Sequence, residues 1–147
     1  MENIEKEFWK KKKLKDLNDA EWEALCDHCG KCCVQKFQQG SKTVFTNIIC
    51  DHLCLKDISC SIYHRRLLTG YCVKVDLNVV REMPFLLPGT CAYKLLDQGK
   101  ELPAWHPLMT GDPGSVVASG NSLAAVSVIT EMSAMIDPAR IETIEII

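Results

Sequence analysis

The sequence predicts a small, irregular α+β domain with N-terminal helices and a loop-rich cysteine-cluster core that bound metal stabilises. Three observations lead there. The 147 residues are 47% apolar and 24% charged, which is the composition of one globular domain rather than of a disordered chain. Cysteine is the unusual residue: nine are present, an odd number, and all fall between Cys26 and Cys91. Most of them lie in residues 26–60, where hydrophobic periodicity is weak, so coordination would supply the stabilisation that an apolar face supplies elsewhere. No repeat or low-complexity linker divides the chain, and residues 1–147 are expected to form a single domain.

The elements follow in order. Residues 5–25 read as an amphipathic helix carrying Phe8, Trp9, Leu14, Leu17, Trp22 and Leu25, interrupted near Asn18-Asp19, with Asp19 as cap of the second piece, Ala20–Leu25. Lys10 to Lys13 lie on its solvated face beside Glu5, Glu7 and Asp16. A short strand is expected at Thr43–Ile49, a short helix around Tyr63–Leu68 and another near Leu77–Met83, which Pro84 and Pro88 terminate. One or two helical turns over Cys91–Leu96 close at Gly99. The proline-rich run Leu102–Leu108 should be an ordered loop, with Trp105, like Tyr93, anchoring it or the core. The β-branched runs Ala125–Ile129 and Ile141–Ile147 read as strands.

Charge and hydropathy narrow the function classes. A net charge of −2 gives no field to attract nucleic acid. The N-terminus mixes acids and bases without the apolar stretch of a secretory signal, which points to the cytoplasm. The apolar stretch Val116–Ile129 is broken by polar residues and is shorter than the roughly 20 residues that span a bilayer, so no membrane partner is expected. In a reducing compartment clustered cysteines are more often metal ligands or redox groups than disulfides.

The run Cys26-Asp27-His28-Cys29-Gly30-Lys31-Cys32-Cys33 carries the chemistry. Cys-x2-Cys spacing lets a tight turn aim two sulfurs at one point while backbone N–H groups donate to the thiolates. Gly30 tolerates positive φ, and Lys31 brings positive charge toward sulfurs that must lose protons to bind metal. Cys26, Cys29 and Cys32 resemble the start of a ferredoxin-type iron–sulfur run, but the fourth cysteine is the immediate neighbour Cys33. Further ligands must therefore come from Cys50, Cys60, Cys72 and Cys91, with Cys54, His28, His52, His64 and His106 in reserve. Adjacent Cys32 and Cys33 point apart in most backbone conformations, which favours two centres or a bridging ligand. A thioredoxin-like use of Cys29-Gly30-Lys31-Cys32 is disfavoured by the competing thiols and by the lack of a βαβ pattern.

These residues resemble a bacterial family of cysteine-cluster proteins, the YcgN/YkgJ type, with a zinc- or iron-chelating domain and a CxxCxxCC signature. The likeness runs through Phe8-Trp9, Glu21 to Cys33, Phe45-Thr46-Asn47, Cys50, Cys60, Tyr63, Arg65-Arg66, Cys72, Leu87-Pro88, Thr90 to Tyr93, and Leu102 to Leu108, and weakens after Gly111. It implies Cys26, Cys29, Cys32, Cys33, Cys50, Cys60, Cys72 and Cys91 as metal ligands, with Cys54 an extra, in a cytoplasmic protein of unassigned role. The expected cofactor is an iron–sulfur cluster, with zinc the close rival. An enzyme using Arg65, Arg66 or His106 on an anionic substrate, and an interaction module fixed by structural zinc, are the alternatives.

Overall fold

The computed structural model describes residues 3–69, 72 and 74–144, and they form an α+β fold. The N-terminal segment contains α1 (Phe8–Lys11), a 3₁₀ turn at Leu14–Asp16, and α2 (Asp19–Leu25). Asn18, not Asp19, caps α2: its side chain accepts from the Glu21 N–H at 2.8 Å, and the Glu21 carboxylate accepts from the Asn18 N–H at 3.1 Å. This reciprocal box satisfies two N–H groups that a helix start leaves free. One long helix over residues 5–25 does not form, because the chain turns back so that Phe8, Leu14 and Leu25 bury into one core.

Glu21 fixes that turn. Its carboxylate is fully buried, accepts the Glu5 N–H at 3.1 Å, and meets the Lys12 ammonium at 2.9 and 3.1 Å. The hydrogen bond from Lys12 holds the Glu21 carboxyl below the ordinary carboxylate range. Lys10 and Lys11 stay outside, paired with Glu7 and Glu5. Lys12 thus leaves the solvated face and serves the interior.

The sheet is built on β2 (Lys42–Ile49), the strand expected from the sequence, which pairs antiparallel with β1 (Val34–Gln39). The hairpin partner β1 was not legible, since most of its side chains face solvent. Register places Val34 opposite Ile49 and Lys36 opposite Phe45, so the irregularity lies in β2 at residues 46–48, where Thr46 Oγ1 donates to the Gln35 carbonyl at 2.6 Å. A second hairpin joins β3 (Leu53–Cys54) to β4 (Ser59–Cys60).

A 3₁₀ helix at Tyr63–Thr69 is followed by α3 (Leu77–Glu82), a 3₁₀ turn from Pro84, and α4 (Ala92–Asp97), which ends before Gly99 at φ 71°. The run Leu102–Leu108 is a loop only to His106. Pro107 then opens α5 (Pro107–Thr110), where its missing N–H costs nothing.

The C-terminal expectation needs correction. Val116 lies in α6 (Ser115–Ala118), and Leu123–Ala125 form a 3₁₀ turn, leaving β5 (Ile129–Thr130) as the only strand of the first β-branched run. Then come α7 (Glu131–Ile136) and β6 (Thr143–Ile144); the rest of the expected second strand, residues 145–147, lies outside the described residues. β5 pairs parallel and β6 antiparallel with β2, sharing the edge opposite β1. Asn47 ties them in by donating to the Arg140 carbonyl at 3.1 Å and accepting the Glu142 N–H at 2.9 Å.

Two cores result. The first gathers Phe8, Leu14, Leu25, Val80, Leu87, Ala92, Tyr93 and Leu102; the second gathers Val34, Phe45, Ile49, Leu53, Ile58 and Leu123. Each fully buried side chain of this size contributes about 1.5–3 kcal/mol. The chain crosses from the first core to the second through residues 26–33.

Glu21→Ala is expected to release the N-terminal segment alone. Amide exchange at Phe8 and Lys12 should rise toward the unfolded rate while the β1–β2 ladder keeps its protection; unchanged exchange at those amides would count against the role given to Glu21.

Candidate metal centre

The cysteine run begins where α2 ends. Cys26 is the C-cap, and the preceding Leu25 carbonyl is bonded to His106 Nε2 at 2.7 Å. His106 Nδ1 accepts the Leu108 N–H at 3.0 Å, so Nε2 carries the proton and donates to Leu25. Burial pushes the imidazole below its ordinary range, which keeps it neutral. His106 therefore corrects two sequence readings. It is neither a reserve metal ligand nor an anion-binding group; it is a fully buried clamp on the entry to the loop.

The loop then makes two successive knuckles. The His28 N–H donates to Cys26 Sγ at 3.4 Å, with His28 at φ 58°, and the Lys31 N–H acts in the same way on Cys29. Asp27, buried, accepts the Cys29 N–H at 3.1 Å. Gly30 sits at φ 79°, and a Cβ there would come within 2.7 Å of Ile58 Cγ2 and 3.3 Å of Leu123 Cβ. Glycine is required on both counts: conformation and space. The Cys29 carbonyl accepts the Leu123 N–H at 2.7 Å, which pins the turn against the C-terminal segment.

Cys32 and Cys33 occupy a 3₁₀ turn, Lys31–Cys33, that runs directly into β1. Because Val34 pairs with Ile49, Cys33 and Cys50 emerge side by side from the end of the ladder, and the Cys50 N–H donates to the Cys33 carbonyl at 3.1 Å. The Cys50 carbonyl in turn accepts the Leu53 N–H at 3.0 Å, and Leu53 pairs with Cys60 across the second hairpin. Cys91 caps the start of α4 and packs with Cys26 on the first core, whereas Cys33 packs on the second. Cys72 interacts with Cys60, Cys50 and Cys32.

All eight expected ligands are thus gathered around the junction of the two cores, and all nine cysteines are free thiols. Cys54 is exposed and hydrogen-bonds to Asp57. Among the described residues no three Cys, His, Asp or Glu side chains already converge as a metal would require, so binding would have to draw the sulfurs together.

The thiols differ in readiness to ionise. Burial pushes Cys26 and Cys29 up, and Cys91 to about 11, while N–H groups of Lys94 and Tyr93 act in the opposite sense on Cys91. A hydrogen bond from the Cys33 thiol brings Cys32 down to about 7 against its burial, and the Lys36 ammonium assists. Cys33, the donor in that bond, is held well up. The assisting cation is Lys36, whose Nζ lies 3.0 Å from the Cys32 carbonyl; Lys31 contributes its backbone N–H instead.

Of the other expected site residues, His28 meets the cluster through its backbone N–H on Cys26 and Arg66 through its charge near the Cys72 thiol. His28 and His64 are exposed, the latter edge-on to Tyr63 at 5.7 Å. His52 and Arg65 line a separate shallow cleft with Ile62 and Leu68. The Arg66 guanidinium stacks 4.0 Å from the Tyr63 ring and donates to the Tyr63 carbonyl at 2.7 Å. Arg65, Arg66 and His106 therefore form no common anion site. Trp22 and Tyr93 brace α2 from behind, stacked at 4.7 Å, with Tyr93 Oη donating to the Trp22 carbonyl at 2.7 Å. Trp105 is half-buried, and its Nε1 lacks a hydrogen-bond partner among the described residues.

The fold and the thiol set define an α+β cysteine-cluster protein. The chain belongs to the UPF0260 family: it is 45% identical to a UPF0260 protein of Rhizorhabdus wittichii over 122 residues, covering 81% of this chain and 83% of the relative. It is 41% identical to the Aliivibrio fischeri member over 120 residues (80% and 82% covered) and 46% identical to a Pasteurella multocida member over 119 residues (78% and 80% covered). No family model matches the chain. No solved structure matches it either. No helix among the described residues is long and apolar enough to cross a membrane.

The His106 clamp has a pH signature. On unfolding, the imidazole regains a pKa of about 6.5, so below that pH the unfolded chain binds the proton that the folded chain refuses, and stability falls as pH drops through this range. In ¹⁵N-edited NMR His106 is expected to remain the neutral Nε2–H tautomer below pH 6.5; a His106 already protonated at or above pH 6.5 would refute the clamp.

Proposed function

We propose that this chain is a cytoplasmic metal protein of the YcgN/YkgJ type whose centre is held by cysteine thiolates, with iron–sulfur as the favoured form. The observation that supports it most is the assembly of eight cysteines from five separate stretches of chain around one core junction, while the clamp histidine is turned away. The donor set fits such a group: soft sulfur ligands suit zinc and iron–sulfur clusters. The spacing Cys26, Cys29, Cys32 favours the cluster.

A bound centre would supply fold stabilisation and, if iron–sulfur, electron storage. The chain's own residues prepare for it. Cys32 has the thiol most readily ionised, so it would be the first of the set to offer a thiolate to a metal. N–H groups directed at Cys26 and Cys29 stabilise their thiolate forms once coordination has displaced their protons.

Anaerobic purification, an absorption spectrum, and iron, sulfide and zinc analysis test this reading. Bound iron with matching sulfide and a brown colour are expected, and Cys29→Ser or Cys32→Ser should lose metal and stability together, because binding free energy is also folding free energy. A colourless protein with stoichiometric zinc would remove the cluster assignment. Full metal content in both variants would remove the thiolate site.

A further inference from the structure

A groove of about 700 Å³ opens over the first core, and none of the cysteines lines it. Its lining comes from two stretches of chain. One is the N-terminal segment, through Trp9, Lys13 and Leu14; the other runs from the end of α4 to α5, through Leu96, Lys100 and Met109. A concavity of this volume is of the size that holds a small molecule.

The lining is apolar at its base. Leu14 and Leu102 are buried members of the first core, and Trp9 and Leu96 pack against it. Trp9 stands edge-on to the buried Phe8 ring, with centroids 5.4 Å apart and planes at 90°, so packing holds the indole in place. Even so, the indole is only half-buried, and Met109 is 47% exposed. Both leave apolar surface open to the groove.

Cations surround that surface. Lys10, Lys12, Lys13, Arg81 and Lys100 line the groove against two carboxylates, Asp97 and Glu101. The net charge of −2 describes the whole molecule and does not cancel a local surplus of this kind. Lys10 pairs with Glu7, and Lys12 with Glu5 and Glu21, none of which lines the groove. Arg81 meets Asp97 at 3.5 Å. Lys13 and Lys100 are exposed and have no carboxylate partner among the described residues. Lysine ammoniums bind phosphate as point charges, without the planar match that a guanidinium offers a carboxylate. An aromatic wall beside them suits a ring that stacks or packs against it.

We propose that this groove binds a small organic phosphate with a flat ring system, its phosphate paired with Lys13 and Lys100 and its ring against Trp9. The site is separate from the cysteine cluster and does not depend on the metal reading. Such a ligand would bridge the N-terminal segment to α4 and α5, adding to the tie that Lys12 and Glu21 make.

Calorimetric titration of the whole chain with AMP and with phenyl phosphate tests this, with adenosine and inorganic phosphate supplying each half of the ligand alone. Both organic phosphates are expected to bind saturably, with Kd of about 1 mM or below. They should bind more tightly than either half, and less tightly as salt rises. Lys13→Gln and Lys100→Gln should each weaken AMP binding about tenfold through loss of a charge-assisted hydrogen bond. Both lysines are exposed, so the fold should persist in these variants. In NMR the Trp9 indole N–H signal should shift with AMP, while that of Trp22, which donates to the Val75 carbonyl at 2.9 Å, stays in place. Binding of neither compound would overturn the site, as would full binding by both lysine variants. An equal loss in Lys42→Gln, on β2 and outside the groove, would also overturn it, and so would inorganic phosphate binding as tightly as AMP.

Discussion

The structure depends on the tethering of the 26–33 loop. A segment with so few apolar side chains cannot hold its own shape, and here its backbone is fastened from outside at both ends and in the middle. His106 takes the Leu25 carbonyl, Leu123 takes the Cys29 carbonyl, and Cys50 takes the Cys33 carbonyl. Each donor comes from a different part of the chain, so the loop is where those parts are joined. Each such bond is worth only about 1 kcal/mol net, yet leaving a buried carbonyl without its partner costs about 1–3 kcal/mol. The tethers act mainly by making other loop conformations expensive.

That constraint explains the remaining residues of the site. Gly30 is where the chain passes between Ile58 and Leu123 with no room for a Cβ. Ile58, itself at φ 51°, closes the second hairpin under the loop and so sets Cys60 near Cys50. Trp22 and Tyr93 keep α2 and α4 together, which sets Cys26 beside Cys91. The sulfurs are brought into one neighbourhood by packing and pairing, and the metal's proposed part is to close it.

Much of this was legible in the sequence, for physical reasons. The strand over Thr43–Ile49 announces itself through β-branched residues buried at its end, and the α3 and α4 helices through their apolar spacing. Knuckle spacing and Gly30 mark the loop, because coordination geometry constrains local sequence. Other features carry no local signal. β1 lacks hydrophobic alternation, and the helices α6 and α7 are short and set in β-branched surroundings, where tertiary context outweighs propensity. Lys36 was missed in favour of Lys31, since only the β1 geometry shows which lysine reaches Cys32. His106 was legible in part: a residue before Pro107 is placed to cap a helix, but its bond to Leu25 is long-range.

If packing alone selects the donors, His106 is excluded from coordination by its two hydrogen bonds. X-ray absorption at the edge of the bound metal tests this most directly. The account predicts a first shell of sulfur alone; a nitrogen scatterer from imidazole would contradict it.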